Sequence, residues 1–529
     1  MANGFYKIVP RAPLAKGGAE EVGNKAWNLM RMTAAGLPVP AAFVLPTGWC
    51  QKIRLDGTHQ ELEATLAAGV AALESATGLV FGAPRRPLLV SVRSGAAVSM
   101  PGMLETVLDV GLNDETLEGL IGDTGNPRLA WDCYRRLIQG YAEVVARLPR
   151  APFDEPLSQA LASTGVQRES ELDYLALRTV TRELLKHYRE LTGVPFPQDP
   201  REQLKQAVRA VFRSWDAPKA TTYRNANGIK HDGGTAAMVQ HMVFGNAGGA
   251  SGAGVAFTRN PANGAHELYL DFELNAQGED VVAGRLALAG EECLMPRAVW
   301  AQLAEAGHTL EALFRDAQDF EFTIESGKLY LLQSRSAKRT PWAALRIAVD
   351  QVEEGLIRPE EGLLHLQAID FASVVRTRFA NALPEPLARA QVASIGVTSG
   401  AIALDSQAAL RMARPDSRVI LVRREIETAD IDGIISAAGI LTASGGRTSH
   451  AAVVARQLGK VCLVACPDLG IDLARRCCRI GKKTVQEGEF LSLDGNDGNV
   501  YLGKLEIIAE HPEAELAKIA TWSAEPVMT

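Results

Sequence analysis

Leu441–Lys460 reads LTASGGRTSHAAVVARQLGK. A glycine pair leads into Thr448, Ser449 and His450, and an alanine- and valine-rich run follows. Threonine and serine ahead of an apolar-periodic segment are N-cap residues, so a helix is expected to begin near His450. The unpaired N–H groups and the dipole of a helix N-terminus favour an anion there and disfavour a protonated ring. His450 is thus expected to be neutral near pH 7, exposed to an electrophile, and suited to carry a phosphoryl group. Two plainer readings stay open, an ordinary turn histidine and a Ser–His pair of hydrolase type. The second is weak, because triad members are assembled from separated positions.

Composition narrows the classes. A chain of 529 residues exceeds one core, and two to four domains are expected. Hydrophobic residues make up 47% and charged residues 22%, the balance of a soluble globular protein. The net charge of -7, with no Lys/Arg block, argues against nucleic acid as a partner. No apolar run reaches the roughly 18 residues of a membrane span, and the start lacks the apolar core of a signal peptide. A cytoplasmic protein with reduced thiols is therefore expected. The seven cysteines read as ordinary core or surface thiols, because no second ligand pair completes a zinc site.

Upstream, Lys25–Ala35 has helical apolar spacing, ended by Gly36 and Pro38. Lys25 beside Gly23 reads either as part of a backbone-lined phosphate site or as a solvated lysine. In PLLVSVRSGAAVSMPGM, residues 87–103, a short apolar strand delivers Arg93. The small-residue loop Ser94–Gly102 would let backbone N–H groups approach phosphates. It does not match the Walker A pattern. Residues 113–215 read as mostly helical, with Arg135 and Arg136 as solvated helix charges or a partner surface. After a strand at 237–244, the glycines of GNAGGASGAG, residues 245–254, suit a flexible loop over a nucleotide or an ordinary structural loop. Glu279 and Asp280 fall at a strand end.

DFEFTIESGKLYLLQSR, residues 319–335, reads as a hairpin with its turn at Ser326-Gly327. Alternation puts Asp319, Glu321 and Thr323 on one face, and Gln333 and Arg335 on one face of the paired strand. Two carboxylates and an amide can hold Mg²⁺ through oxygen while the arginine reaches a phosphate. A polar outer face would have the same pattern. Residues 341–389 read as a helical connector, 390–507 as a compact α/β unit around the His450 helix, and 508–529 as a helical tail.

Taken together and in order, GNKAWNLMRMTAAGLPVP, VSVRSGAAVSMPGMLETVLDVGLND, FPQDPREQLKQAVRAVFRSWD, MVFGN…GVAFTRNP, NAQGEDVVAG, DFEFTIESGKLYLLQSR and GGRTSHAAVVAR resemble the pyruvate, phosphate dikinase family. The resemblance implies an α/β (α+β) protein. An ATP-grasp nucleotide-binding region would occupy 1–340, with a helical insertion at about 113–215, followed by a swivelling phosphohistidine domain at 390–507. It further implies that Lys25, Arg93 and Arg335 contact the ATP phosphates, under a loop from Ser99 to Met103 that includes Gly102. Gln240, Met242 and Glu279 would surround the adenosine, and Asp319, Glu321 and Gln333 the Mg²⁺. His450 would attack the β-phosphorus and release AMP, and inorganic phosphate would then take the terminal phosphoryl group as pyrophosphate, leaving phosphohistidine. Thr448 matches the threonine that regulatory kinases modify in some dikinases.

The resemblance departs at the far end. The family's C-terminal barrel, which binds pyruvate and phosphoenolpyruvate, needs about 250 residues, whereas 508–529 are all that follow the phosphohistidine region. The expected activity is thus an ATP-dependent phosphotransferase whose acceptor site lies outside this chain, on a separate barrel protein or in the rest of a longer dikinase. Transfer to a different small molecule or protein, and a non-catalytic ATP-binding regulatory module, are the alternatives. Assembly with further copies of the chain is left open by the sequence.

Overall fold

The computed structural model describes residues 4–56, 59–98, 100, 103–166, 169–231, 233–278, 295–380, 383–414, 417–426, 430–446 and 450–522. Ser99, Gly102, Glu279, Asp280 and Thr448, and the side chain of His450, lie outside the described residues. The chain is a mixed α/β protein that divides into two compact units, 1–251 with 323–334, and 252–322 with 335–529.

The first unit is built on a five-stranded antiparallel sheet. Its order is Tyr6–Ile8, Ala42–Leu45, Ala236–His241, Val90–Gly95 and Thr106–Val110. Arg93 lies within its strand opposite Met238, and Ser91 opposite Gln240. The expected helix is Asn24–Ala34, and Ala26, Leu29 and Met30 are its buried face, as their spacing requires.

The insertion is helical as expected, and its sequence explains where each helix starts. Asn113, Asn126, Asp173 and Asp199 each cap an N-terminus with a side-chain oxygen. Proline follows two of these caps, at 127 and 200. Tyr134, Tyr141, Tyr188 and Phe196 pack ring against ring at 5.3–6.4 Å and join three of the segments.

The solvated reading of Arg135 and Arg136 is corrected here. Spacings of three and four put both arginines on the helix face of Asp132, which is buried against the segment around Glu169. Arg135 is 3% exposed and donates to Asp132, Gln139 and Glu169. Burial is the largest single influence on the Asp132 carboxyl and acts to raise it. The arginines together outweigh it and hold the group well below its usual range.

The segment read as a loop over 245–254 runs into the strand Gly252–Phe257, and both its ends are tied. Asn246 Nδ2 reaches Asp132 at 3.4 Å, and Asn126 Nδ2 reaches the Ala247 carbonyl at 3.3 Å. At the far end, Gly327 N donates to the Ala250 carbonyl and Ser326 N to Ser251 Oγ, both at 2.9 Å.

In the second unit an eight-stranded sheet carries four parallel central strands, Val397–Ala403, Val419–Arg423, Gly439–Thr442 and Val461–Val464. These strands are nearly continuous apolar runs and are buried along most of their length, as parallel strands covered on both faces require. The helix His450–Gln457 begins where the sequence placed it and follows the strand Gly439–Thr442. Over 341–389 the helical reading describes the chain only as far as Leu366. Beyond it Arg376–Phe379 is a strand paired antiparallel with Ile507–Glu510, and the helix Glu513–Trp522 comes after that pair. The four-stranded sheet has the order Lys328–Ser336, Gln318–Glu325, Gly252–Phe257, Tyr269–Leu274, and the unit boundary falls within its first two strands. Six of the cysteines are described, and all six are buried.

Candidate active site

Lys25 and Arg93 are brought together by their backbones. Gly23, with φ +77°, lies so close to the Arg93 strand that a Cβ there would fall 2.2 Å from the Gly95 carbonyl oxygen. Next to it, Asn24 N donates to the Ala96 carbonyl at 2.9 Å. The helix bearing Lys25 therefore starts directly against the strand bearing Arg93. Among the described residues Arg93 Nη1 is buried with no hydrogen-bond partner, a desolvated cationic donor that an anionic oxygen would satisfy.

Gln240 and Met242 flank His241 at the end of the adjoining strand. Gln240 is 2% exposed and its side-chain amide donates to the Pro40 carbonyl, so that amide is already engaged. Met103 and Met242 are part-buried against the core of this unit. His241 was not singled out by sequence; burial, and secondarily Lys328, lower its pKa to about 4, so it is neutral near pH 7. Glu325 was missed as well. It accepts from Phe244 N at 2.9 Å, and burial raises its carboxyl above the ordinary range. An acid at a hairpin turn gives no sequence signal for such a contact.

Gln333 belongs to the first unit, while Asp319, Glu321 and Arg335 belong to the second. Asp319 and Thr323 are buried, so their strand face is not the polar outer face that alternation also allowed. Arg335 donates through Nε and Nη2 to Asp319 Oδ2, each at 2.8 Å. Burial pushes the Asp319 carboxyl upward, Glu321 adds to the rise, and Arg335 and Arg456 oppose it.

Arg456 lies on the helix that begins at His450. It is 5% exposed, donates through Nε and Nη2 to the Ala393 carbonyl, and sits 5.9 Å from the centre of the Phe257 ring. Tyr269 Oη donates to the Val392 carbonyl at 2.7 Å. Within the second unit, the His450 helix thus packs against the strand Gly252–Phe257, the sheet neighbour of the strand carrying Asp319 and Glu321.

Two other clusters hold none of the expected residues. Glu311, Glu354 and His266 approach metal-ligand spacing. Arg259 occupies both carboxylates with bonds of 2.6–3.1 Å, so they neutralise a buried guanidinium. A cavity of about 750 Å³ is lined by Glu21, Trp49, Lys52 and Glu61. Their polar groups are already paired with Tyr6, with the Gly4 carbonyl and with each other.

The fold is mixed α/β, consistent with an ATP-grasp nucleotide-binding region followed by a smaller α/β domain. Residues 50–288 match the family model "Pyruvate phosphate dikinase, AMP/ATP-binding domain", and 415–498 match "PEP-utilising enzyme, mobile domain". Pyruvate, phosphate dikinase of Clostridium symbiosum is 42% identical over 95% of this chain and 58% of its own length. That of Rhizobium meliloti (strain 1021) is 42% identical over 96% and 59%, and the chloroplastic dikinase 1 of Zea mays 40% over 95% and 54%. The chain belongs to the pyruvate, phosphate dikinase family and spans somewhat more than half the length of these relatives. No helix among the described residues is long and apolar enough to cross a membrane.

Proposed function

We propose that this chain forms phosphohistidine from ATP. Lys25, Arg93 and Arg335 bind the phosphates, the 99–103 loop with Gly102 and Met103 covers them, and Met242, Glu279 and the backbone at Gln240 surround the adenosine. The observation that carries this reading is the Gly23–Gly95 junction, which sets Lys25 beside a strand whose arginine holds a buried donor unpaired among the described residues. Asp319, Glu321 and Gln333 offer the oxygen donors that Mg²⁺ takes. When bound, the ion would neutralise charge on the transferring phosphates.

The His450 imidazole forms a bond to the β-phosphorus as the bond from that phosphorus to the α-phosphate oxygen breaks, and AMP leaves with both electrons. The ring proton is released. Inorganic phosphate then attacks the γ-phosphorus, so that pyrophosphate departs and one phosphoryl group stays on His450. Onward transfer to pyruvate rests on the relatives' name, with the acceptor held by residues outside this sequence, on the same or a separate polypeptide. A phosphate on Thr448 would set negative charge beside the reacting ring and suppress the reaction.

The test is incubation with Mg²⁺ and ATP labelled at the β-phosphate, with and without inorganic phosphate. Acid-labile, base-stable label that is absent in His450→Ala is expected. An unlabelled wild-type protein would sink the proposal. Label in the wild type with no turnover of pyruvate, alone or with candidate partners, would redirect the search to a different acceptor.

A further inference from the structure

The turn Glu325-Ser326-Gly327 joins the two strands that carry Asp319, Glu321, Gln333 and Arg335. Three consecutive residues of this turn hold the glycine segment that follows Met242. Glu325 accepts from Phe244 N, Ser326 N donates to Ser251 Oγ, and Gly327 N donates to the Ala250 carbonyl, all at 2.9 Å. Both ends of 245–250 are thus fastened to one turn, and its middle is tied to the helical insertion through Asn246 and Asn126. Asn246 is 4% exposed, and among the described residues its Oδ1 has no hydrogen-bond partner. The amide is turned toward Asp132 even so, which argues that loop position outweighs local satisfaction.

We propose that Glu325 is a positioning residue for nucleotide binding. By holding Phe244 N it fixes where the glycine segment leaves the Gln240–Met242 strand end, and so sets the affinity for ATP with little effect on phosphoryl transfer. The proposal rests on the ATP-dependent reading above. Glu325 touches neither the phosphates nor His450 in that reading, and acts through the backbone of the loop. Glutamine at 325 keeps an oxygen for Phe244 N, whereas alanine does not. The carboxylate charge is dispensable and the acceptor is essential.

The experiment measures the ATP dissociation constant by equilibrium dialysis, the labelling rate at saturating β-labelled ATP and the thermal midpoint, for wild type, Glu325→Ala, Glu325→Gln and Asn246→Ala. Glu325→Ala is expected to weaken ATP binding about tenfold, equivalent to about 1.4 kcal/mol. Its saturated labelling rate should stay within about threefold of wild type, and Glu325→Gln should restore the affinity. Asn246→Ala should weaken binding in the same direction with unchanged labelling. An ATP affinity in Glu325→Ala equal to wild type overturns the proposal, as does a fall in thermal midpoint without a change in affinity. Loss in Glu325→Gln as large as in Glu325→Ala overturns the acceptor role. If wild type binds ATP without being labelled, the phosphohistidine reading fails while the affinity arm still decides the loop. If it binds no ATP, both fall.

Discussion

Gly23 meets Gly95 so closely that there is no room for a side chain between them. A Cβ at position 23 would fall 2.2 Å from the Gly95 carbonyl oxygen, and the backbone there has φ +77°. Alanine at this position meets both a left-handed conformation and a backbone clash, so Gly23→Ala is expected to destabilise by about 2–4 kcal/mol. It should also abolish ATP binding, because it separates Lys25 from the Arg93 strand. Gly36, with φ +83° and nothing within 4 Å of the place a methyl would take, is the control. Gly36→Ala meets the conformational strain alone, about 1–2 kcal/mol, with ATP binding intact. Equal effects of the two in urea unfolding and ATP dialysis would contradict the argument.

His241 makes a pH prediction. Burial, and then Lys328, lower its folded pKa from 6.5 to about 4. Above pH 6.5 the ring is neutral whether folded or unfolded, and its contribution is flat. As pH falls toward 4 the unfolded chain takes up the proton first, so stability is lost through that window, by up to about 3 kcal/mol. His241→Gln should unfold with a shallower pH dependence between 6.5 and 4 than wild type. Parallel curves of stability against pH would show that His241 titrates normally.

Much of this architecture is legible in the order of residues. The hairpin over 319–334, with its Ser326-Gly327 turn, can be read because alternation and turn chemistry are local. The helix start at His450 is a capping signal, equally local. What cannot be read depends on distant partners. Arg135 is charged and helical, and only the approach of the 169 segment makes it a buried ion-pair residue. The contacts that tie the glycine run cannot be read either, because its fasteners, at 126, 132 and 325–327, are far away in sequence. Arg376–Phe379 reads as helical since its strand partner, Ile507–Glu510, comes more than a hundred residues later.

Asp319 and Glu321 predict how metal dependence responds to acid. Burial and the neighbouring Glu321 raise the Asp319 carboxyl, so it takes up a proton at a higher pH than an ordinary aspartate. A protonated carboxyl is a poor Mg²⁺ ligand. Chelation should stop His450 labelling, and added Mg²⁺ should restore it. The Mg²⁺ needed for half-maximal labelling should rise as pH falls from 7.5 to 5.5. Glu321→Gln should raise that requirement about tenfold at pH 7.5. Labelling unaffected by chelation would remove the metal from the proposed mechanism.

Arg259 carries the last prediction, and it concerns the fold that supports the sheet. Its side chain is fully buried and donates to both Glu311 and Glu354. Desolvation, the largest single influence, acts to lower the guanidinium pKa, and the two carboxylates together raise it further nonetheless. Glu311 also accepts from Thr258 Oγ1, so one carboxylate secures two successive residues at the end of the strand Gly252–Phe257. A lysine has one compact head in place of the planar fork and cannot span both acids. Arg259→Lys is therefore expected to destabilise by about 2–4 kcal/mol, and Arg259→Ala by about 3–5 kcal/mol, because the alanine leaves Glu311 buried without its cation. Glu354→Gln removes the more exposed partner and should shift stability by about 1 kcal/mol. The midpoint and slope of urea unfolding separate these outcomes. A lysine variant as stable as wild type would show that charge alone, without the fork, holds this corner of the sheet.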